Sequence, residues 1–222
     1  MRPELFASRV RTFDRPVGSV FMRHSAILLA LPFLLTTLVL AQKTVKTRET
    51  GKESFQADFP SGGQLHIQVR SGELLVKGID ESKVRIHFEG RNSGELKDVQ
   101  VSLNISGSDG ELKISGGPRN DFRIILEVPK VVDLHLRMPF GDATVERLSG
   151  DKDIEIHAGD LTVNLGDVNE YRYVEASVTS GDLEAGLFNV SKGGLFRSFE
   201  KDGSGKYRLH AHVGAGDLTL RE

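Results

Sequence analysis

Four aspartates at equivalent places, Asp142, Asp160, Asp182 and Asp217, are the residues in this sequence best arranged to do chemistry. Each follows a glycine and precedes an apolar–any–apolar triplet, as in Gly159-Asp160-Leu161-Thr162-Val163. Stacked in register, such carboxylates could hold a column of calcium ions, or act pairwise as acid and base on a glycosidic bond. The structural alternative needs no ligand: glycine supplies a positive φ at a corner, and the acid bonds nearby amides or faces water. Calcium-binding nonapeptide repeats carry Gly-Gly-x-Gly-x-Asp at a strict period, which is missing here. Close carboxylates without a cation also repel. The acids are therefore read as structural corners, with a polysaccharide-active β-helix enzyme using Asp142, Asp160 and Asp182 as the alternative.

His210 and His212 are the next candidates. They lie two apart in an alternating segment, so both project from one face of a strand, while His135 and His157 fall on other strands. Zinc needs three or four converging ligands, and spacing along one strand supplies two. Leu209, Ala211 and Val213 take the opposite face, so the histidines read as exposed polar residues. No metal ligand is assigned, and a metal-dependent binding module stays open as an alternative.

Other chemistries find little support. Cysteine is absent, which removes thiolate sites, disulfides and cysteine nucleophiles. No Gly-x-Ser-x-Gly elbow occurs, and neither "SGGQ" nor "SKGG" opens a helix that could cradle phosphate. No catalytic residue and no cofactor is expected. A net charge of −2 with interspersed signs, and no tryptophan, argue against a nucleic-acid partner. Lys192, Arg197, Lys201, Lys206 and Arg208 cluster late in the chain, as a solvated rim or as a surface for an anionic polymer.

The elements that position these residues are strands. From Phe59 onward the chain alternates with a period of two, as in Leu65/Ile67/Val69, Val84/Ile86/Phe88 and Val99/Val101/Leu103/Ile105. Aligned on their glycines, the copies of the motif begin at Gly72, Gly110, Gly141, Gly159, Gly181 and Gly216, with a weaker one at Gly94. Apolar residues fall two and four places after each of the six. Spacings are about 16 to 22 residues where neighbouring copies are close, counting the weak one, and the gap from Gly181 to Gly216 is near twice that. This predicts an all-β, solenoid-like stack of short strands, with a β-sandwich as the alternative. Asp202-Gly203-Ser204-Gly205 reads as the turn of an antiparallel hairpin that closes the C-terminal end.

Three segments organise the chain. Residues 1–41 read as a signal peptide: basic at Arg23, apolar from Ala26 to Leu40, broken by Pro32, with cleavage expected after Ala41. Met22 can serve as the start, leaving 1–21 as an upstream extension. Residues 42–58 are polar and aperiodic, and read as a flexible leader. Residues 59–222 form a single β-repeat domain, with no membrane span expected after cleavage.

"FPSGGQLHIQVRSGELLVKGID", "IILEVPKVVDLHLRMPFGDATVERLSGDKDIEIHAGDLTV" and "VEASVTSGDLEAG" resemble the DUF4097 family of bacterial β-strand-repeat proteins, which carries an adhesin label. The resemblance runs from Phe59 to Glu222 and implies an exported or envelope-associated protein with a β-solenoid-like fold and no catalytic residues. Irregular repeat spacing and the segment "SKGGLFRSFEKDGSGKYRLHAHVGAGD" depart from the family pattern. The expected role is a non-enzymatic, exported structural or adhesion-type module, periplasmic or at the cell surface, whose partner is an envelope protein or polysaccharide.

Overall fold

The computed structural model describes residues 44–50, 54–90, 93–118 and 121–222; residues 1–41, read from the sequence as a signal peptide with an upstream extension, lie outside them. Among the described residues the strands are β1 (Thr44–Thr50), β2 (Ser54–Asp58), β3 (Gly63–Val69), β4 (Glu73–Ile79) and β5 (Lys83–Glu89). There follow β6 (Gln100–Ser106), β7 (Asp109–Ser115), β8 (Arg123–Pro129), β9 (Val132–Phe140), β10 (Asp142–Glu146) and β11 (Lys152–Ala158). The last are β12 (Leu161–Asn164), β13 (Tyr171–Ala185), β14 (Val190–Asp202), β15 (Tyr207–Ala215) and β16 (Leu218–Arg221). Among the described residues three short 3-10 turns are the remaining regular elements, and the weak motif copy at Gly94 lies in the first of them, Ser93–Asp98.

The fold is all-β and solenoid-like. One row of parallel strands runs β7-β3-β9-β11-β15-β13, and a second runs β8-β4-β10-β12-β16-β13. Each coil contributes one strand to each row and turns between them at a corner. Inward residues of both rows meet in one apolar cluster; in the coil β11–β12 these are Ile154, Ile156, Leu161 and Val163. Burying each such side chain stabilises by roughly 1.5–3 kcal/mol, which offsets the backbone entropy of ordering the coil. The alternation read from the sequence is the result: one face of each strand leaves water and the other keeps it.

A parallel stack ends in open strand edges, and antiparallel strands cover them here. At one end β6 and β1 extend the first row, and β5 and β2 extend the second. At the other end β14 pairs along nearly the whole of β13, which passes through both rows. β14 is exposed along most of its length; Val190 and Phe199 are its partly buried residues, and the Phe199 ring lies against Phe188 with centroids 5.0 Å apart.

Chain order and spatial order differ. The last coil, β15–β16, is not at the end of the stack but lies between β11–β12 and β13. The wide interval from Gly181 to Gly216 is therefore occupied by the covering strand β14, not by a missing repeat. The expected C-terminal antiparallel hairpin exists, but it is β13–β14, joined through Gly186–Asn189. The Asp202–Gly205 turn instead carries the chain around the start of β13, with Gly203 N donating to Arg172 O and Lys206 N to Glu170 O. Its flanking strands are separated by β13, so the predicted pairing of β14 with β15 is corrected. Residues 42–58, read as a leader, hold strands β1 and β2. Phe55 and Ala57 pack on the core from β2, an alternation too short to stand out beside the charged residues around it.

Candidate functional site

The repeated Gly-Asp pairs form a column along one corner of the solenoid. Gly72, Gly141, Gly159, Gly216 and Gly181 all have positive φ, between 111° and 139°. Crowding adds a second demand: a Cβ on Gly159 would sit 2.1 Å from Gly141 O, and one on Gly216 would sit 2.2 Å from Gly159 O. Three of the acids then accept a hydrogen bond from the next coil. Asp160 N donates to Asp142 Oδ1 (2.9 Å), Asp217 N to Asp160 Oδ1 (2.8 Å) and Asp182 N to Asp217 Oδ1 (2.9 Å). An amide N–H lies between each of these carboxylates and the next, and its dipole offsets their mutual repulsion. Gly110 is not part of this column. It lies inside β7 facing the core, where a Cβ would meet Leu65 Cδ1 and Phe59 Cε2 at 2.8 Å, so its role as a corner is corrected to one of making room for Phe59.

A second column of the same kind runs along another corner, where Asp151 N donates to Asp133 Oδ1 and Arg208 N to Asp151 Oδ1, both at 2.8 Å. Gly150 has φ 139°. Gly150-Asp151-Lys152-Asp153-Ile154 is thus a further motif copy, hidden in the sequence because Lys152 stands where an apolar residue is expected. Lys152 does point inward, between Leu134 and Leu209 of the adjacent strands, and is 2% exposed. Its Nζ donates to Tyr171 OH (2.7 Å) and Gly150 O (3.0 Å). Burial lowers the Lys152 ammonium to about 8, against the pull of Glu170, Asp151 and Asp133, and the same burial pushes the Tyr171 phenol up.

The richest chemistry lies on the outward face of the first row, above this lysine. Strand register sets Glu111, His66, His135, Asp153, His210 and Glu175 side by side across β7, β3, β9, β11, β15 and β13. Asp153 is the hub. His210 Nδ1 lies 3.0 Å from its Oδ1, His135 Nδ1 3.3 Å from its Oδ2, and Arg137 Nη2 donates to Oδ2 at 2.6 Å. Partial burial works to raise the Asp153 carboxyl; the Arg137, His210 and His135 bonds and the Arg137 charge outweigh it and hold the group at about 2. Arg137 Nε also pairs with Glu155 Oε2 at 3.2 Å. His66 stacks on His135 with centroids 4.5 Å apart, and Gln64 Nε2 contacts His135 Nε2 at 2.8 Å. Beside the row lies a shallow groove of about 320 Å³, bordered by Gln64, Asp133, Tyr173 and Arg208.

His210 and His212 do share one face, and both are half-buried between neighbouring strands. His212 Nδ1 meets Ser177 Oγ at 2.9 Å. His157 is exposed farther along β11. Asp153 and Glu155 were not singled out by the sequence; their only signal is that both occupy outward places in "DIEIH". Of the late basic residues, Lys192, Arg197 and Lys201 lie on β14, Lys206 in the turn and Arg208 on β15 beyond β13. Lys192 and Arg197 bond backbone carbonyls of their own strand.

No family model matches the chain, and no curated protein matches it. Solved structures are similar. One is a "putative cell adhesion protein" from Clostridium sporogenes ATCC 15579, 15% identical with a TM-score of 0.46, over 81% of this chain and 99% of that one. Another is a "putative adhesin" from Bacteroides fragilis NCTC 9343, 9% identical with a TM-score of 0.35, over 80% of this chain and 97% of that one. Likeness at this level assigns neither family nor activity.

Proposed function

We propose that the chain is a non-enzymatic, exported β-repeat module of the bacterial envelope, structural or adhesive in role, that binds an envelope protein or polysaccharide. The observation that carries this reading is how the repeated acids are used. Asp142, Asp160 and Asp217 each accept a backbone amide of the next coil, so two of the three acids the enzyme reading needs, Asp142 and Asp160, are part of the scaffold. What the scaffold presents outward is a continuous polar row, Glu111 to Glu175, on a surface of parallel strands. Export is supported by the segment from Arg23 to Ala41, and membership of the DUF4097 family by the segments that resemble it. Cell fractionation tests the first part: the chain is expected outside the cytoplasm without residues 22–41, and recovery in the cytoplasm with them intact overturns export. Binding to isolated envelope fragments tests the second, with Glu111→Lys and Glu175→Lys expected to weaken it. A glycan panel cleaved by the native chain, but not by folded Asp160→Ala or Asp182→Ala variants, would favour the enzyme instead.

A further inference from the structure

Asp153 and Glu155 stand two apart on β11, and His210 and His212 stand directly opposite them on β15. We propose that Asp153, Glu155 and His210 bind one divalent transition-metal ion of the zinc class. One donor atom from each lies within 4.8 Å of the others, and His210 Nδ1 already meets Asp153 Oδ1 at 3.0 Å. Zinc bonds of about 2.1 Å at tetrahedral angles place neighbouring donors roughly 3.4 Å apart, so modest side-chain rotations complete the triangle.

The surroundings orient the donors. Arg137, on β9, holds Asp153 Oδ2 and Glu155 Oε2, and His135 adds a second contact to Asp153 Oδ2. Asp153 Oδ1 is thereby turned towards β15 and His210. Such outer contacts fix ligand orientation in metal sites, and the Arg137 charge lowers the repulsion between the two acids. His210 supplies its Nδ1 lone pair once the ring proton moves to Nε2. One nitrogen and two carboxylates suit zinc, nickel or copper; calcium takes six to eight oxygens, which these residues do not offer. His212 is engaged with Ser177, so the fourth position falls to water or to a donor from a bound partner. The site holds whether or not the chain is exported.

Calorimetric titration of the tag-free mature chain with zinc chloride tests this. One ion per chain is expected, with affinity reduced about ten-fold or more by either His210→Ala or Glu155→Gln. His87→Ala, on the distant strand β5, is expected to bind as the native chain does. Glu155→Gln keeps shape and size, and far-UV circular dichroism confirms that each variant is folded. Absence of binding overturns the proposal, as does binding that His210→Ala and Glu155→Gln leave unchanged or that His87→Ala weakens equally.

Discussion

Replacing Lys152 with methionine, alone and together with Tyr171→Phe, isolates the energetics of the buried cation beneath the polar row. The lysine falls from 10.5 to about 8 in the folded chain, mainly because burial disfavours its charge. At roughly 1.4 kcal/mol per pKa unit, carrying that charge at neutral pH costs the native state about 3 kcal/mol. The sign follows from linkage. Between the folded value near 8 and the unfolded value of 10.5 the unfolded chain holds more protons, so stability rises with pH across that window. Below pH 8 the penalty is full and flat. Tyr171 acts in the opposite sense: its raised phenol stays protonated in the native state while the unfolded one ionises, so stability falls again above pH 10. Lys152→Met alone relieves the penalty but leaves Tyr171 OH without its partner, a loss of about 1–3 kcal/mol, and the two nearly cancel. The double variant removes both side-chain polar groups but leaves Gly150 O without the lysine, and is expected to gain about 1–2 kcal/mol at pH 7, in line with other buried charges replaced by apolar residues. Urea unfolding followed by circular dichroism at pH 7 and pH 9.5 reads both effects. A native chain equally stable at the two pH values, or a double variant weaker than native at pH 7, would refute the reasoning.

Four further outcomes follow from the corners and the strand order. Gly159→Ala, with φ 132° and a new Cβ 2.1 Å from Gly141 O, is expected to lose about 3 kcal/mol or more in thermal unfolding. Gly166→Ala, with φ 65° and open space around it, is expected to lose only about 1–2 kcal/mol. Asp160→Ala deprives Asp217 N of its acceptor and is expected to cost about 1–2 kcal/mol, Asp160→Asn less, with melting temperatures indifferent to calcium; a marked rise with calcium would make the column a cation site. Truncation after Lys206 removes an internal coil, so cooperative unfolding should vanish, whereas loss of a terminal solenoid repeat would leave the other coils melting together.

Much of the architecture was legible because it is local. Alternation of period two marks strands wherever one face is buried, and a glycine forced to positive φ recurs at equivalent corners. Pro129 ends a strand, as its missing amide requires. Locality also explains the errors. Gly110 satisfies the motif inside β7, before the corner of its coil, and Leu65 and Phe59, distant in sequence, show why that position lacks a side chain. The Gly150 copy is masked in the sequence because a lysine occupies an inward place, where Tyr171 OH and Gly150 O accept from its ammonium.

The candidate site lies at the far end of this division. Sequence alone determined that Asp153, Glu155, His210 and His212 face outward, since alternation assigns each to the side opposite its buried neighbours. That they face outward together was decided by tertiary structure. β15 follows β13 and β14 in the chain yet inserts beside β11, because hydrogen bonding between parallel strands is set by register and not by order along the sequence.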